Sequence, residues 1–228
     1  MVFMIIKAKN LTKVYGKRER VVALKDINLE IEEGEIVAIL GPSGCGKTTL
    51  LNCLSGLDEL TSGSVEVLGK SLTGMNEEEK TKFRSVYMGF IFQFFNLIPV
   101  LNAIENVELP LLISKKLKVS EVRKRALDWL EKLHIAHRAK AYPSEMSGGE
   151  QQRVAIARAL INNPKIVWAD EPTGALDTKN SEEIMDIILN MNRELNTTFV
   201  IVTHDPNVAK KANRIIRMDS GRILSEGV

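Results

Sequence analysis

The sequence predicts an α/β fold: a mostly parallel sheet flanked by helices, with an N-terminal antiparallel β part and an inserted helical subdomain. Three observations carry this. Short apolar runs alternate with helix-period segments toward the C-terminus; a glycine-rich loop joins one early run to a helix; and a helical stretch separates the two halves. The expected layout is one domain over 1–228, with a core from residues 1–96 and 163–228 and a helical subdomain over residues 97–162.

In order, "MIIKAKNLTKVY" and "VVALKDINLEI" roughly alternate apolar with polar positions, as half-buried strands do. "EIVAIL" is a buried strand running into the glycine-rich loop, and the following helix turns Leu50, Leu51 and Leu54 inward. "SGSVEVLG" reads as a short strand between turns, and "MGFIFQFFNLIP" closes the first half. In "SEVRKRALDWLEKLHI", Val122, Ala126, Leu127, Leu130 and Leu133 recur at helical spacing. Ser147 opens a second helix, and "KIVWADE" returns to a buried strand. "SEEIMDIILNMNREL" places Ile184, Ile187, Ile188, Met191 and Leu195 at helical spacing, and "TFVIVTHD" is a buried strand with a polar end.

A chain of 228 residues with 44% hydrophobic content can bury a substantial core. Its 31 basic and 29 acidic residues leave a net charge of +2, which argues against nucleic acid as a partner. Cys45 and Cys53 have neither zinc-ligand nor disulfide-framework spacing, the pattern of a reduced, cytosolic protein. The apolar N-terminus stops at Lys7, and Gln93, Asn96 and Pro99 interrupt the longest apolar stretch, so no segment is expected to span a bilayer. A membrane role would need another polypeptide to supply the membrane part.

Gly41, Gly46, Lys47 and Thr48 satisfy G-x-x-x-x-G-K-[ST] between a strand and a helix, the context in which the pattern has its mechanism. The loop Gly41, Pro42, Ser43, Gly44, Cys45, Gly46, Lys47, Thr48 and Thr49 cradles phosphate through its backbone N–H groups. Lys47 reaches the β/γ region and the Thr48 hydroxyl can bind Mg²⁺. Cys45 is either an unusually acidic thiol in an electropositive loop or simply a small loop residue. Asp170 and Glu171 follow a buried strand, where ligands bind in such sheets. Side chains alternate, so one can serve a Mg²⁺ shell while the other faces an attacking water; without the loop they would read as turn residues. His204 ends a third strand beside Asp205. Gln93 is either an edge-strand amide or a Mg²⁺ and water contact. Tyr15 is either a stacking platform for a base or a strand aromatic covering the core.

The stretch "SEMSGGEQQRVAIARAL" repeats the logic of an anion site. Ser147 is a good N-cap, Glu150 completes a capping box, and Gly148 and Gly149 bare the first backbone N–H groups. One chain thus carries two anion-binding helix starts.

Together these residues resemble the ATP-binding cassette ATPases of membrane transporters over essentially the whole chain. "GPSGCGKTT" is similar to their Walker A loop, "IVWADE" to their Walker B strand and "MSGGE" to their signature. Gln93 falls at the Q-loop, "GALD" (Gly174 to Asp177) at the D-loop, His204 at the switch histidine and Tyr15 at the adenine-stacking aromatic. The resemblance implies a P-loop NTPase core that binds ATP and Mg²⁺ and hydrolyses ATP to ADP and phosphate. It implies a homodimer paired head to tail, with each ATP between one copy's Walker A loop and the other's Ser147, Gly148, Gly149 and Glu150. It also implies Glu171 as general base, His204 as γ-phosphate contact, and Lys47 with Mg²⁺, held by Thr48, Asp170 and Gln93, as charge stabilisers. Asp177 would communicate across the dimer.

Phe94, Phe95, Leu97 and Ile98 either belong to the core or line a groove, near Gln93–Leu101, where an integral membrane permease docks. "FQFFNLIPVLNAIENVELPLL" is similar to ATPases of lipoprotein release, macrolide export and antimicrobial-peptide export, and the close of the chain soon after its last strand fits that group. The implied role is to power a separate membrane subunit from the inner face of the cell membrane, in export or extraction. The alternative is the same ATPase driving a non-transporting signalling or cell-division complex. Three positions depart from the family pattern: Met146 replaces a leucine, Glu150 a glutamine, and Trp168 an aliphatic residue.

Overall fold

The chain runs β1 (Met4–Tyr15), β2 (Val21–Glu32) and β3 (Ile36–Leu40) into α1 (Lys47–Ser55), then β4 (Ser62–Val67), β5 (Lys70–Ser71), α2 (Glu77–Tyr87) and β6 (Met88–Phe92). Next come α3 (Ala103–Ser114), α4 (Val119–Lys132) and α5 (Gly148–Leu160). The remainder is β7 (Ile166–Asp170), α6 (Thr178–Leu195), β8 (Thr198–Thr203), α7 (Pro206–Ala209), β9 (Arg214–Asp219) and β10 (Arg222–Gly227). This computed structural model describes residues 3–16, 19–114 and 117–227. Met1 and Val2 of the apolar N-terminus and Lys17 and Arg18 of the turn after Tyr15 lie outside the described residues, as do Lys115, Lys116 and Val228.

Two sheets form. One is antiparallel, in the order β2-β1-β4-β5; the other, β10-β9-β3-β8-β7-β6, is parallel except for β10. The continuous apolar runs of β3, β7 and β8 explain their central places, because a strand covered on both faces can carry apolar side chains at every position. β7 divides its side chains by the period of two. Ile166 and Trp168 enter the core shared with α1 and the antiparallel sheet, while Val167 and Ala169 enter the core beneath α3 to α6. Burying each large aliphatic side chain contributes about 1.5–3 kcal/mol.

Helices α3, α4 and α5 pack on one another beside the parallel sheet. On α4, Val122, Ala126 and Leu130 are buried, with Leu133 just past its end. Leu127, expected with them, stands 37% exposed because it lies about 100° around the helix from Ala126 and off that narrow seam. Helices α2 and α3 are additions to the expected layout. The first is mostly polar and depends on an Asn76–Glu79 capping box; the second is apolar nearly all round and contains Pro110. Among the described residues, no helix is long and apolar enough to cross a membrane.

The parallel order sets where the chain leaves β3, β6, β7 and β8. Leu40 pairs with Thr203, Val202 with Asp170, and Asp170 with Phe92. The glycine loop, Gln93, Glu171 and His204 therefore emerge along one edge of the sheet, though more than 160 residues separate the first from the last.

Candidate functional site

The loop after β3 ends in Gly46, which caps α1 at φ +105°. A Cβ there would lie 2.6 Å from the Ala23 carbonyl oxygen, so only glycine serves. No side chain caps α1, which leaves its first N–H groups free for an anion. Lys47 is only 6% exposed, and its Nζ donates to the carbonyl oxygens of Gly41 at 2.8 Å and Pro42 at 3.0 Å. A buried ammonium held by neutral carbonyls favours an anion beside it. The loop walls a cleft of about 490 Å³ whose lining includes Ser43, Cys45, Thr49, Gln93 and Glu171. Cys45 is a buried free thiol within that wall.

Across the cleft, Thr48 Oγ1 donates to Asp170 Oδ1 at 3.0 Å. Burial pushes the Asp170 carboxyl up and Glu171 adds to the rise, against the Thr48 bond and Lys47. A hydroxyl and one carboxylate, with phosphate and water completing the shell, are the donors a hard divalent cation takes. These residues fit such an ion.

Glu171 carries φ +48°, an unfavourable backbone for glutamate that costs about 1 kcal/mol or more. It is held there from both sides: its N–H donates to the Val202 carbonyl at 2.9 Å, and its own carbonyl accepts from Gly174 at 3.0 Å. The turn brings Glu171 Oε1 within 2.9 Å of His204 Nδ1. Gln93 lies over Gly174, where an added Cβ would meet its Nε2 at 2.9 Å.

The second helix start has the expected cap. The Ser147 N–H donates to Glu150 Oε2 at 2.7 Å, and the Glu150 N–H donates to Ser147 Oγ at 3.4 Å. Glu150 Oε1 also lies 3.3 Å from Arg138 Nε and 3.9 Å from His137 Nε2. Burial opposes its charge, but the Ser147 bonds, Arg138 and His137 outweigh that and hold the carboxyl below the usual range. The added acid thus stays ionised, its charge balanced by Arg138 beside the cap. The two glycines have a second reason to be bare: a Cβ on Gly149 would lie 2.5 Å from Asn180 Oδ1, and one on Gly148 3.1 Å from Leu176 Cδ2. Asp177 caps α6 by accepting from the Asn180 N–H at 2.8 Å. Met146 is buried in the core beneath the helices. Ser147 through Glu150 contribute nothing to the lining of the Lys47 cleft.

If the chain forms the head-to-tail dimer that the resemblance implies, Glu150→Gln is expected to leave its ATP-driven association within about threefold, and stability within about 1 kcal/mol, since glutamine also completes a capping box and a surface ion pair contributes little. The sign with pH follows from the lowered carboxyl. Its contribution is complete above the ordinary glutamate range and is lost as pH falls through the folded value, so acid should narrow any stability advantage of the wild type. Thermal melts at neutral and acidic pH, with size-exclusion chromatography in ATP, check both.

Tyr15 ends β1 opposite Val21 and is 40% exposed; Val21 and Val22 line the cleft, whereas Tyr15 lies outside its lining. The structure adds cleft residues and supporting contacts that the sequence does not single out. Ser220 and Gly221 close the cleft from the turn between β9 and β10, where the Ser-Gly pair was an available turn signal. From α5, Arg158 donates to the carbonyls of Phe95 at 2.7 Å and Asn96 at 2.6 Å, and Gln152 donates to the Pro172 carbonyl. Nothing local marks either residue.

A phosphate loop on a parallel sheet, with a buried lysine and strand-end carboxylates, defines the class of nucleoside triphosphatases with a P-loop. The chain belongs to the ABC transporter family, whose profile matches residues 24–174. It is an ATP-binding, ATP-hydrolysing subunit of an ABC transporter. It is 51% identical over 221 residues to the uncharacterized ABC transporter ATP-binding protein MJ1508 of Methanocaldococcus jannaschii, covering 96% of this chain and 98% of that protein. With the lipoprotein-releasing system ATP-binding protein LolD of Francisella tularensis it shares 46% identity over 220 residues, covering 96% and 95%. The solved structure of the M. jannaschii cassette MJ0796, described as a dimeric post-hydrolysis state bound to ADP and Pi, superposes with TM-score 0.91 at 47% identity over 97% of each chain.

Proposed function

We propose that two copies of this chain close head to tail around ATP and that the cycle of closure and reopening drives a membrane permease. The observation that carries this is the separation of the two helix starts. Lys47 has its cleft, the Ser147 cap lies outside it, and a second copy would bring the two to one nucleotide. The dimeric form of the MJ0796 relative supports the arrangement. Losing the γ-phosphate then removes the anion both faces share, which shifts the population toward the open pair.

In this reading Glu171 accepts the proton of a water as its oxygen attacks the γ-phosphorus. The bond to the bridging oxygen breaks, and ADP leaves with the electron pair. His204 steadies Glu171 through the Nδ1 contact and reaches toward the γ-phosphate, while Lys47 offsets charge growing on the phosphoryl oxygens. Thr48, Asp170 and Gln93 would hold Mg²⁺, which would offset negative charge on the phosphates. Residues 97–162 act as an arm carrying the Ser147 cap toward the partner.

In this reading the permease docks near the Gln93–Leu101 stretch. An apolar groove of about 430 Å³ runs along β6 and α3, with Phe90, Phe92, Pro110 and Ile113 in its wall; Asn96 is the only contribution from that stretch. Phe94 and Val100 are strongly exposed nearby. Such a groove suits a short amphipathic helix of a membrane protein, and would place the chain at the inner face of the membrane. The LolD relative supports extraction of a lipid-anchored substrate as the transport step. The test is Ile113→Glu, at an already exposed position. Co-purification of the membrane subunit should weaken at least about tenfold, the cost of a carboxylate in an apolar contact, while ATPase activity of the isolated subunit persists. Equal loss of both would sink the groove reading. The identity of the co-purified protein separates transport from signalling.

A further inference from the structure

Tyr15, paired with the cleft-lining Val21, is held in a bracket that the phosphate chemistry leaves unused. The Tyr15 hydroxyl donates to Asp58 Oδ2, and Lys13 Nζ donates to Asp58 Oδ1 at 2.6 Å and to the Glu59 carbonyl at 2.6 Å. The same Nζ lies 4.6 Å from the centroid of the Tyr15 ring. One carboxylate thus fixes the tip of the ring while the lysine it binds covers a face. Lys13 is buried and Asp58 partly so, whereas Tyr15 remains 40% exposed. Asp58 has an anchor of its own: its N–H donates to the Asn52 carbonyl of α1 at 3.1 Å, after Gly56 at φ +69° turns the chain back. Because α1 starts at Lys47, the bracket and the phosphate cradle hang on one helix.

We infer that Asp58, seated on Lys13, is a positioning residue that holds the Tyr15 ring ready to stack on the adenine of ATP. This rests on the reading of Tyr15 as the base platform. The physical case has three parts. A ring with its tip bonded and one face occupied loses little freedom when a base stacks on it. The cation draws π density toward its own side, which eases stacking of an electron-rich purine on the other. Ionisation states agree: burial and the bond to Asp58 push the Tyr15 phenol up, so it stays a donor at neutral pH. Burial opposes the charge of Asp58, yet the bonds from Lys13 and Tyr15 hold its carboxyl below the usual range.

The experiment compares binding of ATP with binding of inorganic tripolyphosphate, which has no base, by calorimetry on the full chain. Tyr15→Ala should cut the preference for ATP by about tenfold. Tyr15→Phe, which keeps the ring and loses the tether, and Asp58→Ala should each cut it about three- to tenfold, with tripolyphosphate binding unchanged. Asp58→Ala added to Tyr15→Ala should change nothing further, and Asp58→Asn should recover part of the loss. A wild-type preference in both Tyr15→Phe and Asp58→Ala, alongside a loss in Tyr15→Ala, overturns the inference and leaves the platform standing. An unchanged preference in Tyr15→Ala removes the platform itself. Equal weakening of both ligands in Asp58→Ala marks a structural aspartate and overturns the positioning role.

Discussion

Glu171→Gln should lower ATP turnover by about 10²–10⁴-fold, the usual cost of losing a general base, while ATP binding survives and a long-lived ATP-bound dimer accumulates. The substitution is nearly isosteric, so the φ +48° turn and its bonds to Val202 and Gly174 have no reason to move. It removes the carboxylate charge beside Asp170 and with it the capacity of Oε1, 2.9 Å from His204, to take a proton. Binding depends on other atoms, chiefly the Lys47 ammonium and the N–H groups at the start of α1. The pair should therefore close and fail to reopen. Chromatography in Mg-ATP and a phosphate-release assay read both effects. A variant that stays monomeric in saturating nucleotide yet hydrolyses at the wild-type rate would sink both the base assignment and the sandwich.

Trp168→Ala should destabilise the fold by about 3–5 kcal/mol and lower the melting temperature by about 6–20 °C for a chain of this length. Trp168 is fully buried in the core between the parallel sheet, α1 and the antiparallel sheet, and its backbone lies between Phe90 and Val200. Truncation leaves a cavity that three elements cannot close together. Its Nε1 has no hydrogen-bond partner among the described residues, so Trp168→Phe keeps most of the volume and sheds an unpaired donor. Phenylalanine should therefore cost well under half as much as alanine in a melting experiment. Equal losses would mean that the indole N–H, and not its bulk, is what the core requires.

The residues legible in the sequence act within a few positions of one another. The Gly41–Thr48 pattern works because a tight loop, free N–H groups and a lysine must be contiguous, and the Ser147–Glu150 cap closes over three residues. Strand runs such as "IVWA" are legible for the same reason: burial on both faces demands apolar residues in succession. What stays hidden is held by distance or by context. α2 is too polar to announce a buried face, and α3 carries Pro110. Asp58 and Tyr15 stand 43 residues apart, and the Arg158 bonds to Phe95 and Asn96 span 63 and 62.

The family, the phosphate loop, the strand-end carboxylates and the second helix start could be read along the chain, because each depends on a local spacing that hydrogen-bond geometry allows only a few residue types to fill. Folding in three dimensions is what brings His204 to Glu171, pairs Glu150 with Arg138, and closes Lys13 and Asp58 on Tyr15. Those pairings depend on sheet order and loop return, and side chains brought together that way leave no spacing in the chain to read.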